Sequence, residues 1–556
     1  MRALDWAVLA GSLIFIVAYG LYKGRRSSTV SEYLLADKTM PWYAMALSIM
    51  ATQASAVTFI STTGQSYVDG MRFVQFYFGM PVAMVILSAT AVPIFHRAGV
   101  YTAYEYLEKR FDPKTRALAS VIFLIERGVS VGVVLYAPAI VLAVIFGWPD
   151  RVTTLIMGLL VIAYTVAGGI QAVTWTDVQQ MLIIFVGLFV SIVMVIVMLP
   201  SDVSLLDAMY LAGKAGKLNA VDFTFDLNNR YNVWSGLIGG TFLALAYFGC
   251  DQSQVQRYLT GKSIAQSKLG LLFNAMAKVP MQFFILFVGA MVFVFYTFER
   301  PPLLFEEPAM RKLESSSIYS EVKTRFDLAY ETRRAAAESL LSAHRARDTG
   351  REAVLVDGYR NSQKALDTVR QDAGSMVDKE YNDTNYIFLS FVTKYLPAGV
   401  VGLIIAAIFA AAMSTISGEI NSLATVTVID IYKRHLVRGG GDAHYLLASR
   451  LATAFWGLYA VMFAQFGKNL GSLIEAVNRL GSLFYGSLLG VFTLAFFFPK
   501  VGGNGAFFGI IVAEICIFAA YLFTGISFLW YNVIGCVAVI GTGLLFGRTN
   551  SSGPSQ

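Results

Sequence analysis

Three polar stretches interrupt long apolar runs in this chain, and polar groups surrounded by hydrocarbon are costly enough to be the first candidates for function. One is Ala51-Thr52-Gln53-Ala54-Ser55-Ala56-Val57-Thr58, with Ser61, Thr62, Thr63 and Gly64 following. Small and hydroxyl side chains at that density let a helix unwind and turn backbone carbonyls toward a hard cation; they also suit close helix packing. A second is Tyr247-Phe248-Gly249-Cys250-Asp251-Gln252-Ser253-Gln254. The third is a helical face carrying Ala411, Ser414 and Thr415, with Ser417 and Asn421 one and two turns further on. Hydroxyls in a helix often bond back to their own backbone. Set against an unwound segment, two hydroxyls and three carbonyls supply five oxygens, enough to replace the hydration shell of a monovalent cation. The lack of a carboxylate among them favours weak, reversible binding. Single charges complete the inventory. Arg127, beside Glu126, can pair structurally or face a bound anion, and Lys278 carries the same two readings. Asp177 follows Thr174-Trp175-Thr176 and can cap a helix or guide an ion.

The elements that must hold these groups are set by composition. Hydrophobic residues make up 56% of the 556 and charged residues 14%, against about 45–50% and about 25% in soluble domains. Apolar runs of ~20 residues, the length that crosses a bilayer, predict thirteen transmembrane helices. They lie near 4–22, 42–64, 73–95, 117–146, 151–168, 178–199, 234–253, 269–297, 388–430, 446–466, 474–498, 505–524 and 527–546. With the N-terminus outside, the inner segments carry eighteen Lys and Arg and the short outer loops six (Arg72, Arg151, Lys214, Lys217, Arg230 and Lys468). That asymmetry is the expected sign of orientation, and it places the C-terminus in the cytoplasm. Cys250, Cys516 and Cys536 lie in apolar runs, which excludes a disulfide scaffold. Four scattered histidines predict no zinc site, and no basic stripe with interleaved aromatics predicts nucleic-acid binding.

Charge is concentrated in one place. Residues 298–386 hold 14 Lys/Arg and 16 Asp/Glu, and apolar positions Ile318, Val322, Leu328, Leu341, Val356, Leu366 and Val369 recur at helical spacing about a turn at Asp348-Thr349-Gly350. This predicts a helical hairpin on the outer face: a solvated decoration, or a docking or gating element. The chain divides into helices one to eight (1–297), the polar insertion (298–386), helices nine to thirteen (387–548) and a short cytoplasmic tail (549–556).

The two polar breaks lie five spans apart, as two five-helix halves of inverted topology require. At these residues the chain resembles the sodium:solute symporter family, whose inverted-repeat fold is named after a bacterial leucine transporter. The resemblance is carried by EYLLADKTMPWYAMALSIMATQASA at 32–56, GGIQAVTWTDVQQ at 168–180, QRYLTGKS at 256–263 and AAAMSTISGEINSLATVTVIDIYKR at 410–434. It implies an all-α polytopic membrane protein with two inverted five-helix repeats. It also implies a sodium site made by the carbonyls of Ala51, Ala54 and Ala411 and the hydroxyls of Ser414 and Thr415. Asp177, with Ser417, matches the ion path or a second sodium site. Gly418 stands where a hydroxyl is expected near that second site, favouring one sodium per cycle. Tyr247 matches an aromatic that closes the substrate pocket from inside. Against the sugar carriers of the family, Thr58, Tyr77, Ala244 and Val477 replace larger polar side chains, and Lys278 alone is retained.

The resemblance implies sodium-coupled import, by alternating access, of a small polar or anionic organic solute. Thr58, Gln75, Arg127, Tyr247, Gln252, Lys278 and Asn478 are the candidate lining, and Arg127 suits a carboxylate held by two parallel bonds. No cofactor is expected; sodium is the coupling ion, and the partners are the solute and the lipid of a bacterial inner membrane, around a monomer or weak oligomer. The rivals are a channel or sensor on the same scaffold, disfavoured by the short tail, and a proton-driven carrier, which needs a titratable group where Ser414 and Thr415 stand. An enzyme is not expected, because HExxH, a GxSxG with partner residues, a phosphate loop and paired intramembrane aspartates do not appear.

Overall fold

The computed structural model describes residues 1–24, 29–146, 150–466 and 471–546. Arg25, Arg26, Lys468, Arg548 and the tail 549–556, which entered the charge asymmetry and the boundaries above, lie outside the described residues. The described residues are helical, with one isolated bridge between Met40 and Gly261 and no strand among them. Ten helices are long and apolar enough to cross a membrane, and a bent pair, Trp42–Gln53 and Ala56–Asp69, makes an eleventh. Ser235–Gly249 is apolar but shorter.

The helix Val400–Val426 forms the centre. Ala406, Ala407, Ala410, Ala411 and Ala412 keep its surface small, so neighbouring backbones approach closely. Pro113–Phe146, Asp150–Val197, Trp42–Gln53 and Ala3–Gly24 all pack on it. Its apolar window is 89% buried, against 22% in Ala3–Gly24 and 28% in Asp442–Ala464. Those two present Ile14, Phe15, Phe455 and Met462 outward, the surface a hydrocarbon solvent favours. Asp5 ties the rim to the centre: its carboxylate accepts from the amides of Gly399 (2.6 Å) and Gly402 (3.1 Å), satisfying free N–H groups where Val400–Val426 begins.

Two boundaries differ from the sequence reading. The run 388–430 is not one helix: Ile387–Tyr395 ends just before Pro397, whose missing N–H and fixed φ disfavour continuation, and the central helix starts afresh at Val400. The predicted spans 151–168 and 178–199 are joined in Asp150–Val197, whose break falls at Gly169 (φ 57°, ψ −161°). That conformation is essentially restricted to glycine, and a Cβ there would lie 2.5 Å from the Tyr33 carbonyl oxygen. Asp177 therefore sits within a helix beyond the break, and the N-cap reading falls.

Within 298–386 the chain forms Glu307–Glu314, Tyr319–Arg345 and Thr349–Val377. The two long helices pack on each other, and Asp348 caps the second through the amide of Arg351 (3.0 Å). Val322, Leu341, Val356, Leu366 and Val369 are buried, whereas Ile318 and Leu328 face outward. The buried Arg333 donates to the Tyr296 carbonyl and to Gln363 Oε1 (3.0 Å), and the Tyr330 hydroxyl donates to the Phe298 carbonyl (2.7 Å). The pair is thereby fastened to the end of the helix Ile264–Phe298.

Candidate cation and solute site

Trp42–Gln53 stops where Ala54 (φ −86°, ψ 66°) and the extended Ser55 leave helical geometry, and Ala56–Asp69 restarts at an angle of 53°. The second polar stretch breaks in the same manner. Gly240–Gly249 ends, Cys250 leaves the helix, and Asp251 caps Gln252–Leu259 through the Ser253 amide (2.8 Å). Both interruptions are buried, so each leaves backbone carbonyls to be satisfied inside the protein.

The central helix supplies the partners of the first break. Thr415 Oγ1 lies 2.8 Å from the Thr52 carbonyl and 3.2 Å from that of Ala411. Ser414 turns the other way, donating to Asp177 Oδ1 (2.5 Å), while Ser48 donates to Asp177 Oδ2 (2.5 Å). Ser417 donates to the Ser414 carbonyl (3.1 Å). Of the five expected cation ligands, Thr415 meets the broken helix, and the Ala411 carbonyl lies within reach of the same hydroxyl. Ala51 and Ala54 are buried beside it, but the carbonyl Thr415 reaches is that of Thr52. A carboxylate, which the sequence reading left out of this constellation, adjoins Ser414. Arg257, one of the eighteen Lys and Arg that the charge asymmetry assigned to the inner segments, is buried with Nη2 3.6 Å from Asp177 Oδ2. A Cβ on Gly418 would lie 2.0 Å from that same Nη2, so the glycine leaves the space the guanidinium fills.

Next to the break is a cavity of 80 Å³ lined by Thr58, Arg127, Tyr247 and Asn478 among the candidate residues, together with Gln53, Thr415 and Glu419. Three candidates are elsewhere. The Gln75 amide donates to the Tyr231 carbonyl (2.9 Å) and accepts from the Asp222 amide (2.9 Å), holding a loop. Gln252 donates to the Tyr101 carbonyl (3.0 Å) and accepts from the Ala103 amide (3.0 Å), holding another. Backbone groups thus consume both side chains. Lys278 is buried with its ammonium 5.9 Å from the Tyr77 ring centre, and Tyr77, not Lys278, lines the cavity.

Arg127 corrects a further expectation. Its Nη1 donates to Glu419 Oε1 (2.8 Å), its Nη2 to Asp251 and to the Tyr485 hydroxyl, and its Nε lies 3.5 Å from Glu126 Oε2. It is not free to grip a carboxylate with two parallel bonds. Glu419 and Asp251 were missed, although a charge within each polar stretch was the visible signal. Tyr485 carried no signal, because an aromatic in an apolar helix is ordinarily core.

The sequence model of the sodium:solute symporter family matches residues 33–308 and 366–513. The sodium-dependent multivitamin transporter of Oryctolagus cuniculus is 27% identical over 552 residues, 99% of this chain and 73% of that protein. A sodium/sialic acid symporter of Aliivibrio fischeri is 27% identical over 550 residues, 98% of this chain and 92% of that one. The fold is shared with the solved substrate-bound, outward-open structure of a Na+-coupled sialic acid symporter (TM-score 0.77, 24% identity, 98% of this chain and 99% of that one).

Proposed function

The chain belongs to the sodium:solute symporter family, and from that premise we propose that it imports a small polar organic solute, driven by sodium and working by alternating access. The observation that carries this reading is the meeting of a broken helix with Thr415 of the central helix beside a cavity that Thr415 also lines. Sodium takes the carbonyls of Ala51, Ala54 and Ala411 and the hydroxyls of Ser414 and Thr415, pinning Trp42–Gln53 against Val400–Val426. The pinned form opens outward and accepts solute; the bundle then rocks about the site, and sodium leaves past Asp177 and Ser417. Thr58, Arg127, Tyr247 and Asn478 belong to the solute site. The named relatives carry vitamins and sialic acid, small polar organic solutes.

One sodium per cycle is the stoichiometry we favour, because the Arg257 guanidinium beside Asp177 and above Gly418 stands where a second cation would be repelled. Counting Ser235–Gly249 and both sides of the Gly169 break, the spans come to thirteen, with the two broken segments in corresponding positions of inverted five-helix repeats. The N-terminus and the insertion 298–386 face outside, in a bacterial inner membrane, and the tail 549–556 lies in the cytoplasm. The protein works as a monomer or weak oligomer.

A proton in place of sodium is the second reading, favoured by the carboxylate found against Ser414. Thermal stability of the purified protein in sodium and in potassium at equal ionic strength decides. A sodium-specific rise in melting temperature, lost in Thr415→Ala but kept in Thr415→Ser, is expected. Equal melting in the two cations would overturn sodium coupling.

A further inference from the structure

The cavity beside the break has buried acceptors in its lining that nothing in the described residues satisfies. Arg127 is the one cation among its lining residues, and Glu126, Asp251 and Glu419 surround that single guanidinium, all buried. The cluster sets three carboxyl groups against one guanidinium, in a medium where an unpaired charge is costly. Three buried polar atoms of the lining have no hydrogen-bond partner among the described residues: the acceptors Glu419 Oε2 and Gln53 Oε1, and the donor Arg127 Nε, which stands 3.5 Å from Glu126 Oε2. Glu419 is 2% exposed. The remaining walls include the rings of Phe76, Tyr77, Tyr247 and Tyr485, whose faces attract cations. The Arg127 guanidinium already lies 5.6 Å from the Tyr247 ring centre. Lys278 has no carboxylate partner among the described residues, and it does not line the cavity.

A carboxylate entering here would meet Glu419, and the Arg127 Nη groups that could hold it are already taken by Glu419, Asp251 and Tyr485; a neutral hydroxyl can donate to Glu419 Oε2 but brings no opposing charge. Resting on the reading that this cavity holds the transported solute, we infer that the solute carries a positively charged nitrogen. That nitrogen donates to Glu419 Oε2 and Gln53 Oε1 and is enclosed by the aromatic rings. Arg127 is then a positioning residue: its Nη1 holds Glu419 Oε1 and so aims Oε2.

The test uses the intact protein in proteoliposomes under an inward sodium gradient, with probes of one shape and different charge. They are alanine, alaninol, lactate and propane-1,2-diol, and their leucine-sized counterparts leucine, leucinol, 2-hydroxyisocaproate and 4-methylpentane-1,2-diol. Uptake of an amine-bearing probe, with half-saturation at least tenfold below that of its anionic and neutral counterparts, is expected. Glu419→Gln should raise that half-saturation tenfold or more, and Glu419→Asp should raise it less, with the sodium-specific melting shift kept in both. Preference for lactate, for the diols or for no probe at all, in a protein that sodium does stabilise, overturns the inference and leaves symport standing. An unchanged preference in Glu419→Gln overturns it as well. Absence of any sodium effect on the wild-type protein would remove the symport reading and the inference together. The wild-type panel decides the matter even where a variant does not fold.

Discussion

Thr415 and its neighbour in sequence, Ser414, turn to different partners. Thr415 bonds to the broken helix, so it can sense a cation that pins that segment. Asp177 is held by Ser48, Ser414 and Arg257, so it ties four helices together. Removing one partner of a buried ion pair leaves the other uncompensated, at a cost of about 3–5 kcal/mol. Asp177→Asn should therefore lower the melting temperature sharply, and Asp177→Asn with Arg257→Gln should recover most of the loss, in thermal unfolding of the purified protein. If the double variant is no more stable than the single, the two residues do not form the proposed unit.

At the scale of elements, the insertion is fastened to its neighbours by polar contacts outside the membrane-spanning helices, and one of them is sensitive to pH. Arg345 donates to Asp207 Oδ2 (2.9 Å) at the start of the helix Leu205–Lys214, where Ser204 completes a capping box. The Arg345 guanidinium, aided by Ser204, holds the Asp207 carboxyl at about 2, below its ordinary 3.8. A depressed carboxylate contributes stability that is fully present above the unfolded value and is lost as pH falls through the folded one. Docking of Tyr319–Arg345 on Leu205–Lys214 should hold above about pH 4 and loosen toward about pH 2. The contact is partly exposed, so the effect is small. Hydrogen exchange of the insertion at pH 5 and pH 2.5 measures it, and Arg345→Gln should flatten the difference. A slope unchanged in that variant would assign the pH response to other groups.

For the whole molecule, coupling is a statement about two ligands and one equilibrium. If solute tightens sodium binding by some factor, sodium must tighten solute binding by the same factor. One bound sodium predicts a Hill coefficient near one for sodium-dependent uptake, and solute at saturation should lower the sodium half-saturation in the same ratio by which sodium lowers that of the solute. Unequal ratios in equilibrium binding, or a coefficient near two, would rule out the single-sodium scheme.

What the sequence by itself determined was the solvent, the helices and the breaks. Apolar runs of bilayer length, the charge packed into 298–386 and the small hydroxyl-rich stretches at 51–58 and 247–254 are local properties, and local backbone chemistry is enough to end a helix there. The motif at 410–434 was equally legible, and Thr415 from it lies against the break. Tertiary structure alone decided which polar groups meet. Arg127 reads as a free guanidinium until Asp251 and Glu419, 124 and 292 residues away, close on it. Gln75 and Gln252 read as lining until distant backbone groups occupy their amides. Arg257 reads as an inner-segment charge until the fold carries it to Asp177. Pairing of buried charges depends on distances between helices far apart in the chain, and no periodicity within one helix encodes them.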